Sequence, residues 1–272
     1  MRKSIQGIGA LAALAVAFSA FAGTAFAGKD KMNFGKYQVG ELRTGYTFST
    51  PETRAIQDDD FENPAFLWVD VGEALWNKKE GKAGKSCASC HKNASASMRG
   101  VGARYPVFNK KLGKLQNLEQ RINQERVEKM QAKPLKYESK ELLGLTMFVR
   151  NQSKDMPINV SIDGPAAPFF EKGKKFYFQR RGQLDMACAN CHVDNPGGMI
   201  RANLLSQGQS NGFPLYRLKW QKPGSLHRRF RGCNKQVRAK PYSYGADEYV
   251  NLELYVAWRG QGLPVETPAV RM

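Results

Sequence analysis

The chain has 272 residues and a formal net charge of +18 at pH 7, enough length for one large domain or two ordinary ones. Such a charge attracts acidic partners and small anions. No nucleic-acid-binding motif accompanies it and no apolar run reaches comfortable membrane-spanning length, so neither a nucleic-acid binder nor an integral membrane protein is expected.

Residues 1–27 read as a secretory signal. Arg2 and Lys3 precede an apolar run from Leu11 to Phe21, and Ala25-Phe26-Ala27 forms a small-residue cleavage site. The mature chain is therefore expected to be exported, periplasmic and still strongly basic. Residues 28–66 are polar and mixed and read as an irregular wrapping arm. A helix is expected from Ala65 through Leu75 into Lys78, leading to Cys87-Ala88-Ser89-Cys90-His91. Leu115, Leu118 and Ile122 have the spacing of one helical face, and Glu141 to Arg150 reads as an apolar helix interrupted by Gly144. The stretch Asn151 to Pro168 is rich in Pro, Gly, Asp and Ser. It sets an expected boundary between an N-terminal domain (28–160) and a C-terminal domain (161–272).

The second half repeats the order of the first. Cys188-Ala189-Asn190-Cys191-His192 follows Cys87 by 101 residues; Pro214 follows Pro106 by 108, and Pro264 follows Pro157 by 107. Self-similarity at about a hundred residues predicts a mainly α protein of two duplicated domains.

CxxCH is a c-type haem attachment signal. The two thiols form thioethers to the haem and the adjacent histidine is the proximal iron ligand. A zinc site would require four ligands where each motif offers three. Two motifs thus imply two covalent haems on Cys87, Cys90, Cys188 and Cys191, with His91 and His192 on the irons.

Five cysteines less these four leave Cys233. If Ser225 to Cys233 is helical, Leu226, Arg229, Phe230 and Cys233 share one face and His227 points elsewhere. A guanidinium one turn before a cysteine favours the thiolate. The ordinary reading of Cys233 is a buried inert cysteine; the basic run Arg228-Arg229-Phe230-Arg231 favours a reactive one. At an offset of 108, Leu118 falls on Leu226, Arg121 on Arg229, Ile122 on Phe230, and Glu125 on Cys233. The first half has a carboxylate where the second has sulfur.

Several stretches together resemble the SoxA family. They include Gly208-Gln209, Tyr216-Arg217-Leu218-Lys219-Trp220-Gln221, Gly224 through Asn234, Leu252-Glu253-Leu254-Tyr255 and Gly262-Leu263-Pro264. In the first half they are the CxxCH stretch from Ser86, Gly102-Ala103-Arg104-Tyr105-Pro106, Leu118-Glu119-Gln120-Arg121-Ile122-Asn123 and Ile162-Asp163-Gly164-Pro165-Ala166. The resemblance implies an L-cysteine S-thiosulfotransferase that couples thiosulfate to a cysteine of the SoxYZ carrier. Electrons would leave through the partner cytochrome SoxX. It also implies axial ligation of the active haem by His192 and Cys233, with Arg229 as the active-site arginine. Dihaem members resemble Arg121-Ile122-Asn123-x-Cys-Arg, but the cysteine position is Glu125 here. The first haem's sixth ligand is then Met98, Met130, Glu125 or none. A simple electron-transfer dihaem cytochrome and a thiosulfate dehydrogenase forming tetrathionate are the alternative functions.

Overall fold

The computed structural model describes residues 34–272, so the expected signal at residues 1–27 lies outside it. The arm begins with a small hairpin, β1 (Gln38–Val39) and β2 (Leu42–Arg43), followed by helix α1 (Pro51–Asp58). Thr50 caps α1, its hydroxyl accepting from Thr53 N–H at 3.3 Å. The arm is thus built from short regular elements, more ordered than its polar composition suggests.

Helix α2 (Phe66–Asn77) leads to α3 (Cys87–His91), then to the short helices α4 (Ala94–Ser97) and α5 (Val101–Arg104). An antiparallel hairpin follows, β3 (Val107–Asn109) with β4 (Lys114–Gln116), then α6 (Leu118–Met130) and α7 (Lys140–Asn151). Leu115 therefore sits in a strand, not on the helical face expected for it. Asn117 stops the hairpin and caps α6 in a reciprocal box with Gln120, so the helix starts only at Leu118.

The second half follows the same plan. It comprises α8 (Ala167–Phe178), α9 (Cys188–His192), the hairpin β5 (Met199–Ile200) and β6 (Asn203–Leu204), the hairpin β7 (Leu215–Arg217) and β8 (Lys222–Gly224), α10 (Leu226–Gln236) and α11 (Asp247–Arg259). The closing strand β9 (Ala269–Arg271) pairs in parallel with β7, Arg217 standing opposite Arg271. The architecture is mainly α, and both halves lie within one compact unit.

Each half is centred on a crossed helix pair, α2 on α7 and α8 on α11. Helix α7 is buried from Leu142 through Arg150, as expected of a helix that is apolar on all sides. The pairs touch backbone to backbone. A Cβ on Gly72 would stand 2.2 Å from the Gly144 carbonyl oxygen, and one on Gly173 would stand 2.0 Å from that of Asn251. Gly144 interrupts an apolar helix in sequence because α2 crosses it there. Substituting Gly173→Ala should force α8 and α11 apart and cost about 3 kcal/mol, the upper part of the usual overpacking range. A drop in thermal midpoint of several degrees would register this; an unchanged midpoint would show that the crossing can relax.

Candidate functional site

Each CxxCH motif lies on a one-turn helix that aims its histidine inward. Ser86 caps α3, its hydroxyl accepting from Ser89 N–H at 3.1 Å. His91 lies beside Trp76, ring centroids 5.7 Å apart, and Trp76 Nε1 donates to the Lys92 carbonyl at 3.2 Å. Beyond His91 is a cavity of about 280 Å³, with Cys87 and Cys90 on its wall. Helix α6 supplies Leu118, Arg121, Ile122, Glu125 and Met130; Met98, Val101, Leu145 and Val149 add apolar wall, and Lys85, Arg104 and Lys129 add cations. Two thiols, an imidazole and an apolar slot are what a covalent haem requires, so the residues fit that group.

Met98 ends α4 and is half-buried; Met130 is buried at the end of α6. Glu125 forms an ion pair with Arg121, one turn earlier on the same helix face.

In the second half, Asn190 Oδ1 accepts from Ala187 N–H at 2.9 Å and fixes the start of α9. His192 Nδ1 donates to the Ser206 carbonyl at 2.7 Å, which leaves Nε2 as the ring nitrogen that could face a metal. Gly208 has φ +78°, and a Cβ there would come within 2.8 Å of the His192 ring. Glycine thus lets the 206–208 turn lie against the imidazole. Ser225 caps α10, its hydroxyl accepting from Arg228 N–H at 3.1 Å. This helix presents Arg229 and Cys233 a turn apart, with the Cys233 thiol within hydrogen-bonding reach of His192. Cys188 and Cys191 lie close enough for the Cys233 charge to act on both.

The electrostatics single out Cys233. Burial alone would raise its thiol, as it pushes Cys188 up to about 12. At Cys233 the Arg229 guanidinium, the His192 hydrogen bond and Arg217 outweigh burial and hold the thiol down at about 7. The thiolate is therefore a major form at neutral pH. A donor set of imidazole nitrogen facing thiolate sulfur, beside two haem-attachment thiols, also fits haem iron.

Arg217 was not distinguishable as a site residue in sequence. It reaches the site from β7, donating from Nε to the Met272 carbonyl oxygen at 2.6 Å. Arg217 and Arg228 both stack on Trp220, at 4.9 Å and 4.2 Å from its centroid. Burial and the neighbouring Arg229 charge push the Arg217 guanidinium down to about 10. Cations crowded against one another in this way are relieved by an anion between them. One signal was available: at the 108 offset, Arg217 falls on Asn109, so the halves differ there as they do at Glu125 and Cys233.

His227 lies away from this face, fully buried between the halves. Its Nδ1 accepts from Gly245 N–H at 3.0 Å, Nε2 lies 3.2 Å from Glu253 Oε2, and its ring stacks on Tyr137. Glu119 joins the cluster, and a water-sized cavity of about 20 Å³ touches Glu119, Glu253 and Arg150. Arg150 ties the halves together, donating to the Gly102 carbonyl at 2.8 Å and the Asn211 carbonyl at 3.4 Å.

Burial first, then the Glu253 charge, raises the Glu119 carboxyl from 4.5 to about 7; His227 and Arg150 oppose the rise. The folded protein then holds a proton at Glu119 that the unfolded chain releases above its own pKa. The resulting stability is present below about pH 4.5 and is lost as pH rises through about 7. Thermal midpoints measured from pH 5 to pH 8 should fall with rising pH, and Glu119→Gln should flatten that slope. A slope unchanged in the variant would show that Glu119 does not set the pH dependence.

The SoxA/TsdA cytochrome c domain family matches residues 71–158. A protein of Pseudaminobacter salicylatoxidans named L-cysteine S-thiosulfotransferase subunit SoxA is 47% identical over 229 residues, spanning 84% of this chain and 80% of the relative. Its namesake from Rhodovulum sulfidophilum is 45% identical over 231 residues, spanning 85% and 80%. The crystal structure of SoxXA from P. pantotrophus contains a chain of the same fold, with TM-score 0.82 and 45% identity over 85% of this chain and 87% of that one. With a cytochrome c-like fold, paired CxxCH sites and relatives this close along most of its length, the chain belongs to the SoxA family.

Proposed function

We propose that this chain is the catalytic subunit of an L-cysteine S-thiosulfotransferase, coupling thiosulfate to a carrier-protein cysteine. The observation that carries this reading is Cys233 facing His192 with Arg229 and Arg217 beside it. Two covalent haems would be held, one by Cys87, Cys90 and His91 and one by Cys188, Cys191 and His192, with Cys233 able to supply a further sulfur ligand to the latter. The matching element order of the halves supports duplicated cytochrome c-like domains at 28–160 and 161–272. Signal cleavage after residue 27 would place the mature chain in the periplasm. SoxX is the proposed cytochrome partner and SoxYZ the proposed carrier. Among the described residues no helix is long and apolar enough to cross a membrane.

When bound, haem supplies an electron-accepting iron beside the reactive sulfur. The protein's own groups do the rest. Arg229 and Arg217 hold the sulfonate oxygens of thiosulfate by charge-assisted hydrogen bonds, aiming its outer sulfur at Cys233. The Cys233 thiolate bonds that sulfur, and two electrons pass to oxidised cytochrome acceptors. The carrier thiolate, having released its proton, then attacks the same sulfur; the bond to Cys233 breaks and the Cys233 thiolate returns. The product is a carrier cysteine bearing a sulfur–sulfonate group.

Incubation with thiosulfate, oxidised cytochrome c and the carrier should give carrier-dependent cytochrome reduction and a thiosulfonate adduct on the carrier by mass spectrometry. Tetrathionate as the main product without carrier would point to a dehydrogenase. Turnover with redox partners that ignores thiosulfate would point to simple electron transfer.

A further inference from the structure

The two halves place equivalent elements around their two CxxCH motifs. Hairpin β3–β4 corresponds to β7–β8, and α6 to α10, both at an offset of 108. Asn117 and Ser225 cap the two helices at equivalent positions. This register sets Glu125 where Cys233 faces His192. Glu125 does line the cavity that His91, Cys87 and Cys90 enter, and its side chain is 26% exposed.

The competing side chains sit elsewhere in that register. Met98 corresponds at the 101 offset to Met199, which lies on β5 with 62% exposure. Met130 closes α6 five residues beyond Glu125, in the turn equivalent to Val237 and Arg238. Lys129, also on the cavity wall, is exposed. Arg121 pairs with Glu125 Oε1, which steers the carboxylate along the helix face and leaves Oε2 for another partner.

We propose that the Glu125 carboxylate, steered by Arg121, would supply the second protein ligand to the iron of the first haem, with His91 the first. The assignment rests on the dihaem reading above. A carboxylate is a weaker-field ligand than a thiolate or thioether, so the first haem is a high-spin ferric centre while the second is low-spin. The first site has no counterpart of the Cys233 sulfur to bond thiosulfate, so the role proposed for it is to carry electrons.

Electron paramagnetic resonance and optical spectra of the oxidised full-length holoprotein test this, with covalent haem counted by mass. The expected result is two attached haems, one high-spin and one low-spin with thiolate character. Glu125→Cys should convert the high-spin signal into a second thiolate-type low-spin signal. Met98→Leu and Met130→Leu should change neither signal. In each variant the second haem's unaltered signal reports intact folding. With two haems attached, a low-spin first haem unaffected by Glu125→Gln, or a thioether–iron band lost in Met98→Leu or Met130→Leu, overturns the ligand assignment alone. Fewer than two attached haems overturns the dihaem reading and the assignment with it.

Discussion

Replacing Cys233 by Met is expected to lower thiosulfate coupling by at least about a thousandfold while leaving both haems attached. The thioether keeps a sulfur beside His192 but is capped by a methyl group. It can neither carry thiolate charge nor form a bond to the outer sulfur of thiosulfate. Position 233 is half-buried on α10, and methionine is unbranched and adapts to the space it is given. Cys188 and Cys191 belong to α9 and their attachment chemistry does not involve residue 233. The check is the rate of carrier-dependent cytochrome reduction, normalised to haem. A variant that retains a tenth of the wild-type rate would show that Cys233 is an iron ligand only.

The second large effect is expected at Arg229. Arg229→Ala should lower kcat/KM by about a hundredfold, equivalent to about 2.7 kcal/mol. That matches the loss of one or two charge-assisted hydrogen bonds to the anion. Most of the change should appear in KM, because in the proposed site Arg229 would hold the sulfonate end in the ground state as well as during bond formation. Arg229→Lys should recover part of it, since charge survives but the planar two-point contact does not. Combined with Arg217→Ala, the losses should be non-additive, because the two guanidinium groups act on one ligand and already press on each other. Steady-state kinetics over a range of thiosulfate concentrations separates these outcomes. An unchanged KM in Arg229→Ala would remove the arginine from substrate binding.

Much of this was written locally in the sequence. The helix leading to Cys87 and the apolar run from Glu141 to Arg150 correspond to α2 and α7 within a residue or two, because apolar spacing and capping residues act over one or two turns. The Ser225 stretch became α10 despite Gly232, since a serine cap and an amphipathic face outweigh one glycine. The 108-residue offset survived as two hairpin–helix units in the same order.

What stayed hidden depends on distant partners. Strands of two or three residues such as β3 and β7 carry no usable alternation, so Leu115 read as helical. The approach of Arg217 to Cys233 depends on the turn from β7 into α10 and on the parallel pairing with β9, more than fifty residues away. The buried cluster of Glu119, His227 and Glu253 brings together three helices whose sequences each show an ordinary polar residue. Such burial follows from the packing of the halves and has no local signature.

Peptide mapping can show whether thiosulfate chemistry is confined to Cys233, as proposed. The holoprotein would be incubated with oxidised cytochrome c and thiosulfate labelled with a heavy isotope at the outer sulfur, with the carrier left out, and then quenched in acid. Labelled sulfur is expected on the peptide containing Cys233 and on no other. Label at another residue, or full electron transfer with no label on Cys233, would contradict it.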